Sequence, residues 1–243
     1  MIENLKIKVF ADVATEDEIS TFNKLSYIKG FTTNPSLLKK AGVSDYEVFA
    51  KAAASLVGNK SISFEIVADK ESQILDEAYA VASWADNIYV KIPFLKTDGS
   101  DNTRIIKTLA QNGVKLNITA LMTVEQVTKT IQQADINASM IISVFAGRIA
   151  DTGVDPLSIM NKCVSLLQDF PKVELLWASA REIFNVIQAE NCRCDIITLT
   201  ADLLKKFKLW GTDLNEYSRQ TAQMFYNDAK SAGLKINTNR KDC

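Results

Sequence analysis

The chain of 243 residues contains no histidine. That absence removes Ser-His-Asp and Cys-His catalysis and leaves proton transfer to Asp, Glu, Lys, Tyr or water. Cysteine is sparse: Cys163, Cys192, Cys194 and Cys243 are dispersed in a chain long enough to need no staples, so reduced thiols are expected rather than a disulfide framework. The close pair within NCRC (191–194) finds neither a histidine nor a second closely spaced pair to complete a zinc site, and no metal is expected. An excess of one charge is missing too. The 28 basic and 29 acidic residues give a formal net charge of −1 with both signs spread along the chain, so no basic stripe invites nucleic acid or an anionic membrane surface. Long apolar runs are absent. Nothing approaches the ~20 residues of a membrane span, and the opening MIENLKIKVF lacks the apolar core of a signal peptide, which makes a cytoplasmic protein the expectation. No GxGxxG loop or Walker sequence marks a nucleotide site.

What is present is an alternation of short β-rich runs with longer helical patterns. The strand candidates are KIKVFA from Lys6, GFTT from Gly30, SISFEIV from Ser61, NIYVKI from Asn87, KLNITAL from Lys115, MIISVF from Met140, VELLWAS from Val173 and DIITLT from Asp195. Between them lie segments such as ESQILDEAYAVASWA, NTRIIKTLAQNG, TVEQVTKTIQQAD and DPLSIMNKCVSLLQDF, with apolar residues at three and four spacing and polar or proline starts. Gly113 stands where its helix should stop. Eight strand–helix units in this length predict a single (β/α)8 TIM-barrel domain over 1–243, with an open doubly wound sheet as the competitor. Beyond the eighth unit, DLNEYSRQTAQMFYNDAKSAGLKI predicts an additional C-terminal amphipathic helix over about 213–231, to pack over the barrel mouth or against another subunit.

In a barrel the C-terminal ends of the strands build the active site. Those ends carry Asp12, Thr32-Thr33-Asn34, Glu65, Lys91, Asn117 and Thr119, Ser143 and Arg148, and Ser179 with Arg181. Each has an ordinary reading. A strand-end lysine is usually solvated or snorkelling, Asp12 can stand near a helix N-cap, TTNPS can be a turn whose proline starts a helix, and either arginine alone can be a surface ion pair. Tyr89, Phe64 and Trp177 read as packing residues. The weight lies in the set. Period two puts Asn117 with Thr119 on one face and Lys91 with Tyr89 on another. If those faces turn inward, one lysine, two carboxylates, several neutral donors and two arginines converge. A desolvated lysine amine is a nucleophile toward a carbonyl, and guanidiniums bind phosphate by forked hydrogen bonds, which together point to Schiff-base chemistry on a phosphorylated sugar.

The stretches FADVAT, GFTTNPSLLKKAG, SFEI, YVKIP, KLNITAL, ISVFAGRI followed after Ala150 by DTG, and ASAR occur in the order of the transaldolase family of class I aldolases, which the chain resembles from Val9 to about Leu234. The resemblance implies that Lys91 is the Schiff-base lysine and Asp12 the group that takes the C4 hydroxyl proton. Glu65, with a water held by Thr119, would shuttle protons during imine formation and hydrolysis. It further implies Asn34, Asn117 and Ser143 on the dihydroxyacetone hydroxyls, Phe145 beside the imine, and Arg148, Ser179 and Arg181 on the phosphate. No cofactor is implied. The implied reaction moves a dihydroxyacetone unit from sedoheptulose 7-phosphate to glyceraldehyde 3-phosphate in the pentose phosphate pathway. Related fructose 6-phosphate aldolases, the alternative activity, typically carry glutamine and tyrosine where this chain has Glu65 and Phe145. A non-catalytic sugar-phosphate binding barrel is the competing class, and it predicts loss of Lys91, Asp12 or Glu65, all of which are present. A homo-oligomer built with the C-terminal helix is expected. The chain departs from the family's usual SPF at Ser143-Val144-Phe145, often at Ala180, and in a longer loop FLKTDGSDN after the lysine strand.

Overall fold

The computed structural model describes residues 5–133 and 139–236. Among them, eight strands pair in chain order: β1 (Lys8–Asp12), β2 (Ile28–Thr32), β3 (Ser61–Glu65), β4 (Ile88–Pro93), β5 (Leu116–Leu121), β6 (Met140–Val144), β7 (Val173–Trp177) and β8 (Ile196–Thr200). All neighbours are parallel, and β8 returns to β1 with Ile196 opposite Lys8 and Thr200 opposite Asp12. The sheet is therefore a closed barrel, and the open doubly wound alternative is excluded. The intervening helices are α1 (Glu16–Asn23), α2 (Pro35–Ala41), α3 (Tyr46–Val57), α4 (Glu71–Ser83), α5 (Thr103–Gln111), α6 (Val124–Ile131), α7 (Ala146–Asp151), α8 (Pro156–Leu167), α9 (Asn185–Asn191) and α10 (Ala201–Lys205).

The strands read as nearly continuous apolar runs because both faces are covered. On β4, Ile88, Val90 and Ile92 are buried on one face, while the alternate positions Tyr89, Lys91 and Pro93 take the other. Helix residues such as Ile74, Ile106, Leu109 and Val127 are equally buried, and each contributes on the order of 1.5–3 kcal/mol relative to exposure. Inside the barrel, shape is set by pairs of unequal size: a Cβ on Gly30 would come within 2.4 Å of the Phe10 ring, which fills the space the glycine leaves.

Helix starts follow local chemistry. Thr123 and Gln126 form a capping box on α6, Asp45 accepts from Val48 N–H to cap α3, and Asp155 precedes Pro156 at the first turn of α8. Gly113, at φ +74°, turns the chain out of α5 as anticipated. The chain divides into two compact units, one through Lys205 that holds the barrel and one from Lys206 onward. The second carries a short 3₁₀ turn (Lys206–Leu209) and α11 (Leu214–Ser231). Asp213 caps α11 and Glu216 pairs with Arg219 at 2.8 Å, yet none of its residues is buried, and Leu214, Met224, Phe225 and Tyr226 are exposed.

No helix among the described residues is long and apolar enough to cross a membrane. Cys163, Cys192 and Cys194 are buried free thiols, with burial pushing Cys163 up to about 11 and Cys194 well above its ordinary value. Cys243 lies outside the described residues.

Candidate active site

Lys91 sits near the C-terminal end of β4 and is 6 % exposed. A buried ammonium requires partners, and it has two. Its Nζ lies 3.1 Å from Glu65 Oε2, across the rung where β3 and β4 place Glu65 opposite Lys91, and it donates to the Thr33 carbonyl at 2.9 Å. The period-two pattern of SISFEIV leaves the direction of Glu65 open, whereas the ion pair fixes it inward.

Asp12 ends β1. Its Oδ1 accepts from the Thr32 hydroxyl at 2.8 Å and its Oδ2 from Asn34 Nδ2 at 3.0 Å. Burial pushes the Asp12 carboxyl above its ordinary range, opposed by the Lys91 charge and by these two hydrogen bonds, while Glu65 adds to the rise. Asp12 caps no helix. That task falls to Thr15, whose Oγ1 accepts from Glu18 N–H at 3.2 Å to start α1. Asn34 has two jobs: its Oδ1 accepts from Leu37 N–H at 2.9 Å, capping α2 ahead of Pro35, and its Nδ2 holds Asp12.

A neutral chain continues around the barrel. Asn117 is opposite Lys91 on the next rung, donates to Ser63 Oγ at 3.0 Å and accepts from Ser143 Oγ at 2.7 Å. Thr119 is buried with its hydroxyl unpaired, so it can both donate to and accept from a small molecule. The next residue, Ala120, has φ +58°, and the β5–β6 pairing shifts register between Ile118 and Leu121. Such strain in a non-glycine residue tends to gather at functional sites.

The arginines stand apart from this buried ring, exposed at the ends of β6 and β7. Arg148, on α7, places its guanidinium 5.3 Å from the centre of the Phe145 ring. Arg181 Nε donates to both oxygens of Asp151 at 3.1 Å, and its Nη2 also bonds Asp151 Oδ2. The bonds from Arg181 hold the Asp151 carboxyl below the usual carboxylate range. Between them Ser179 adopts φ +61°, and the fit is close: a Cβ on Gly147 would lie 1.6 Å from the Ser179 carbonyl oxygen. The long loop after β4 is tied down, with Thr97 donating to Asp69 and Leu95 bridging to Asp101.

A sequence profile described as Transaldolase/Fructose-6-phosphate aldolase matches residues 9–242. The chain belongs to this family. It is 30 % identical over 199 residues to a protein named Probable transaldolase from Dehalococcoides mccartyi, covering 82 % of this chain and 88 % of that one. It is 31 % identical over 201 residues to a Probable transaldolase from Methanococcus maripaludis, covering 82 % and 89 %. A Probable transaldolase 2 from Listeria monocytogenes is 30 % identical over 211 residues, covering 86 % and 91 %. Among solved structures, one described as native KDPGal superposes with a TM-score of 0.55 at 13 % identity, over 94 % of this chain and 98 % of that one. Orotidine 5'-monophosphate decarboxylase from Metallosphaera sedula gives 0.54 at 14 %, over 83 % and 95 %. These two share the barrel fold.

Within this member of the family, sequence reasoning overlooked four contributors to the site: Ser63, Thr198, Asp151 and the Thr33 carbonyl. Thr198 carried a faint signal as a hydroxyl inside the apolar run DIITLT. Its hydroxyl lies 2.6 Å from that of Thr32, a residue 166 positions away, and only closure of the barrel brings the two together.

Proposed function

We propose that the protein is a transaldolase that transfers a dihydroxyacetone unit from sedoheptulose 7-phosphate to glyceraldehyde 3-phosphate, giving erythrose 4-phosphate and fructose 6-phosphate through a Schiff base on Lys91. The observation that carries this reading is the buried amine of Lys91 held at 3.1 Å from Glu65, with the Asp12 carboxylate close enough to feel its charge. An amine must shed its proton to attack a carbonyl, and Glu65, its 3.1 Å neighbour, would take it. Addition to the ketose C2 forms a carbinolamine, and loss of water, assisted by Glu65 and a water on the Thr119 hydroxyl, leaves an iminium.

Asp12 then takes the C4 hydroxyl proton. The C3–C4 bonding pair moves into the iminium, giving an enamine on Lys91 and a free aldose phosphate. The iminium serves as the electron sink, so the chemistry asks for no cofactor. Asn34, Asn117 and Ser143 orient the three-carbon fragment by its hydroxyls, and that orientation selects the face presented to the second aldehyde. Arg148 and Arg181, with Ser179, hold the phosphate at the exposed end of the site. Glu65 and Phe145 are the residues by which the family resemblance favours transfer over simple aldolase release. The same reading assigns the reaction to the pentose phosphate pathway in the cytoplasm and the protein to a homo-oligomer.

The test is to incubate the protein with fructose 6-phosphate, reduce with borohydride and locate the modified peptide by mass spectrometry. A three-carbon adduct on Lys91, and transfer to erythrose 4-phosphate without accumulation of free dihydroxyacetone, is the expected result. Free dihydroxyacetone released at the rate of cleavage would make the enzyme an aldolase, and absence of any adduct on folded protein would leave a binding barrel.

A further inference from the structure

A transferase of this kind faces a problem of storage. The proton that Asp12 removes from the donor has to remain until the acceptor arrives, although Asp12 is only half-buried and its departing partner has taken the original hydroxyl away. The contacts around Asp12 offer a solution.

A hydroxyl carries one hydrogen, and a carboxylate can only accept. With Asp12 ionised, Thr32 commits its hydrogen to Asp12 Oδ1 at 2.8 Å, so across the 2.6 Å contact between the two threonines Thr198 must be the donor. The order is Thr198 to Thr32 to Asp12. On the other oxygen, Asn34 Nδ2 is a donor in every state, because Asn34 Oδ1 is committed to Leu37 N–H. Oδ1 is thus the oxygen whose protein neighbour can turn from donor to acceptor. When the proton rests there, rotation of two C–O bonds reverses the row: Asp12 donates to Thr32 and Thr32 to Thr198, with no heavy atom displaced. Both hydroxyls are shielded, Thr32 at 2 % and Thr198 at 8 % exposure. The charged groups that face Asp12 are Lys91 on β4 and Glu65 on β3, whereas β2 and β8 present the neutral threonines.

We infer that Thr198 is a positioning residue that, acting through Thr32, lets Asp12 keep a proton between the two half-reactions, an inference that rests on the Schiff-base reading above. The balance closes. In cleavage the C4 O–H bond breaks, its proton goes to Asp12, and the C3–C4 pair enters the iminium as C4 becomes a carbonyl. In transfer the enamine carbon bonds to the acceptor aldehyde carbon, and the stored proton passes to the new alkoxide.

The experiment compares wild type with Thr198→Val, which keeps the shape and removes the hydroxyl, and with Thr198→Ser, which restores it. In the valine variant Thr32 can still serve the carboxylate, though without the donor behind it, whereas in the reversed row the Thr32 hydrogen has lost its acceptor altogether. Transfer from fructose 6-phosphate to erythrose 4-phosphate should slow about three- to tenfold in kcat, the loss of one hydrogen bond, with the donor KM within about twofold. Borohydride should trap the Lys91 adduct to the same extent. The acid limb of the kcat profile should move to lower pH, since the hydroxyl hydrogen of Thr32 orphaned when Asp12 is protonated costs more than the under-satisfied Thr32 oxygen left when Asp12 is ionised, and Thr198→Ser should return both rate and limb. An unchanged rate and limb, a limb displaced upward, or no recovery with serine would overturn the inference while the trapped adduct still stands. A wild type that traps nothing overturns the Schiff-base reading itself. If Thr198→Val melts early, Thr198→Ala is judged by the same profile.

Discussion

Asp12 sits where ionisation is costly, and its carboxyl is raised because desolvation outweighs Lys91 and the hydrogen bonds from Thr32 and Asn34. The folded state therefore holds this proton to higher pH than the unfolded chain, whose carboxyl titrates near 3.8. The Asp12 contribution to stability is most favourable below that value and declines as pH rises toward the folded-state value, a deficit that persists at neutrality. Asp12→Asn should accordingly raise the melting temperature at pH 7, with the gain vanishing as the pH is lowered through that window, while kcat falls about 10²- to 10⁴-fold. Thermal melts at pH 3.5 and 7 beside a transfer assay check both halves, and a variant less stable at pH 7 would contradict the electrostatics. Single residues were legible to the extent that their oddity showed in a local run. Lys91 stood out as one charge in NIYVKI, and Glu65 as one in SISFEIV. Their partnership did not show, because a ladder rung joins residues 26 positions apart and no local periodicity records it.

Among the elements, the strands were readable because burial on both faces writes them as apolar runs, and all eight fall within a few residues of their expected places. The helix α7 was hidden. Its six residues are too few for a 3.6-residue period to declare itself, and the same letters, AGRIAD, had been read for their arginine. Equally hidden was the approach of α7 to the end of β7, which brings Gly147 N–H to the Ala178 carbonyl at 3.4 Å and leaves no room for a methyl group. The obstacle is backbone, so it cannot swing aside. Gly147→Ala should force the two segments apart at a cost of about 1–3 kcal/mol, lowering the melting temperature by roughly 2–12 °C. Because Arg148 and Arg181 stand on those two segments, the same variant should raise KM for phosphorylated donors more than it lowers kcat. Kinetics with the phosphorylated donor and a melting curve decide it, and an unaltered KM would detach α7 from phosphate binding.

At the level of the molecule, strand–helix alternation was enough to anticipate a closed barrel, since eight parallel strands with covered faces have few other arrangements. The second compact unit is a different matter. An amphipathic pattern told of α11, but not of what its apolar face meets. With Leu214, Met224, Phe225 and Tyr226 all exposed, the homo-oligomer anticipated from the family resemblance has a surface available to it. Light scattering should return a multiple of the 26.9 kDa chain mass, and Phe225→Glu should reduce it. A monomer at micromolar concentration would refute that expectation.

Asn34 joins helix and carboxylate through the two ends of one amide, so chemical ageing there would do double harm. Deamidation would turn the nitrogen that steadies Asp12 into a second negative oxygen facing it. The usual route begins when the following backbone nitrogen, stripped of its hydrogen, closes on the asparagine carbonyl to form a cyclic imide. The following residue is Pro35, which has no such hydrogen to lose. The residue that opens α2 thus also protects its neighbour, and the site should keep its amide through long storage while exposed asparagines elsewhere in the chain deteriorate.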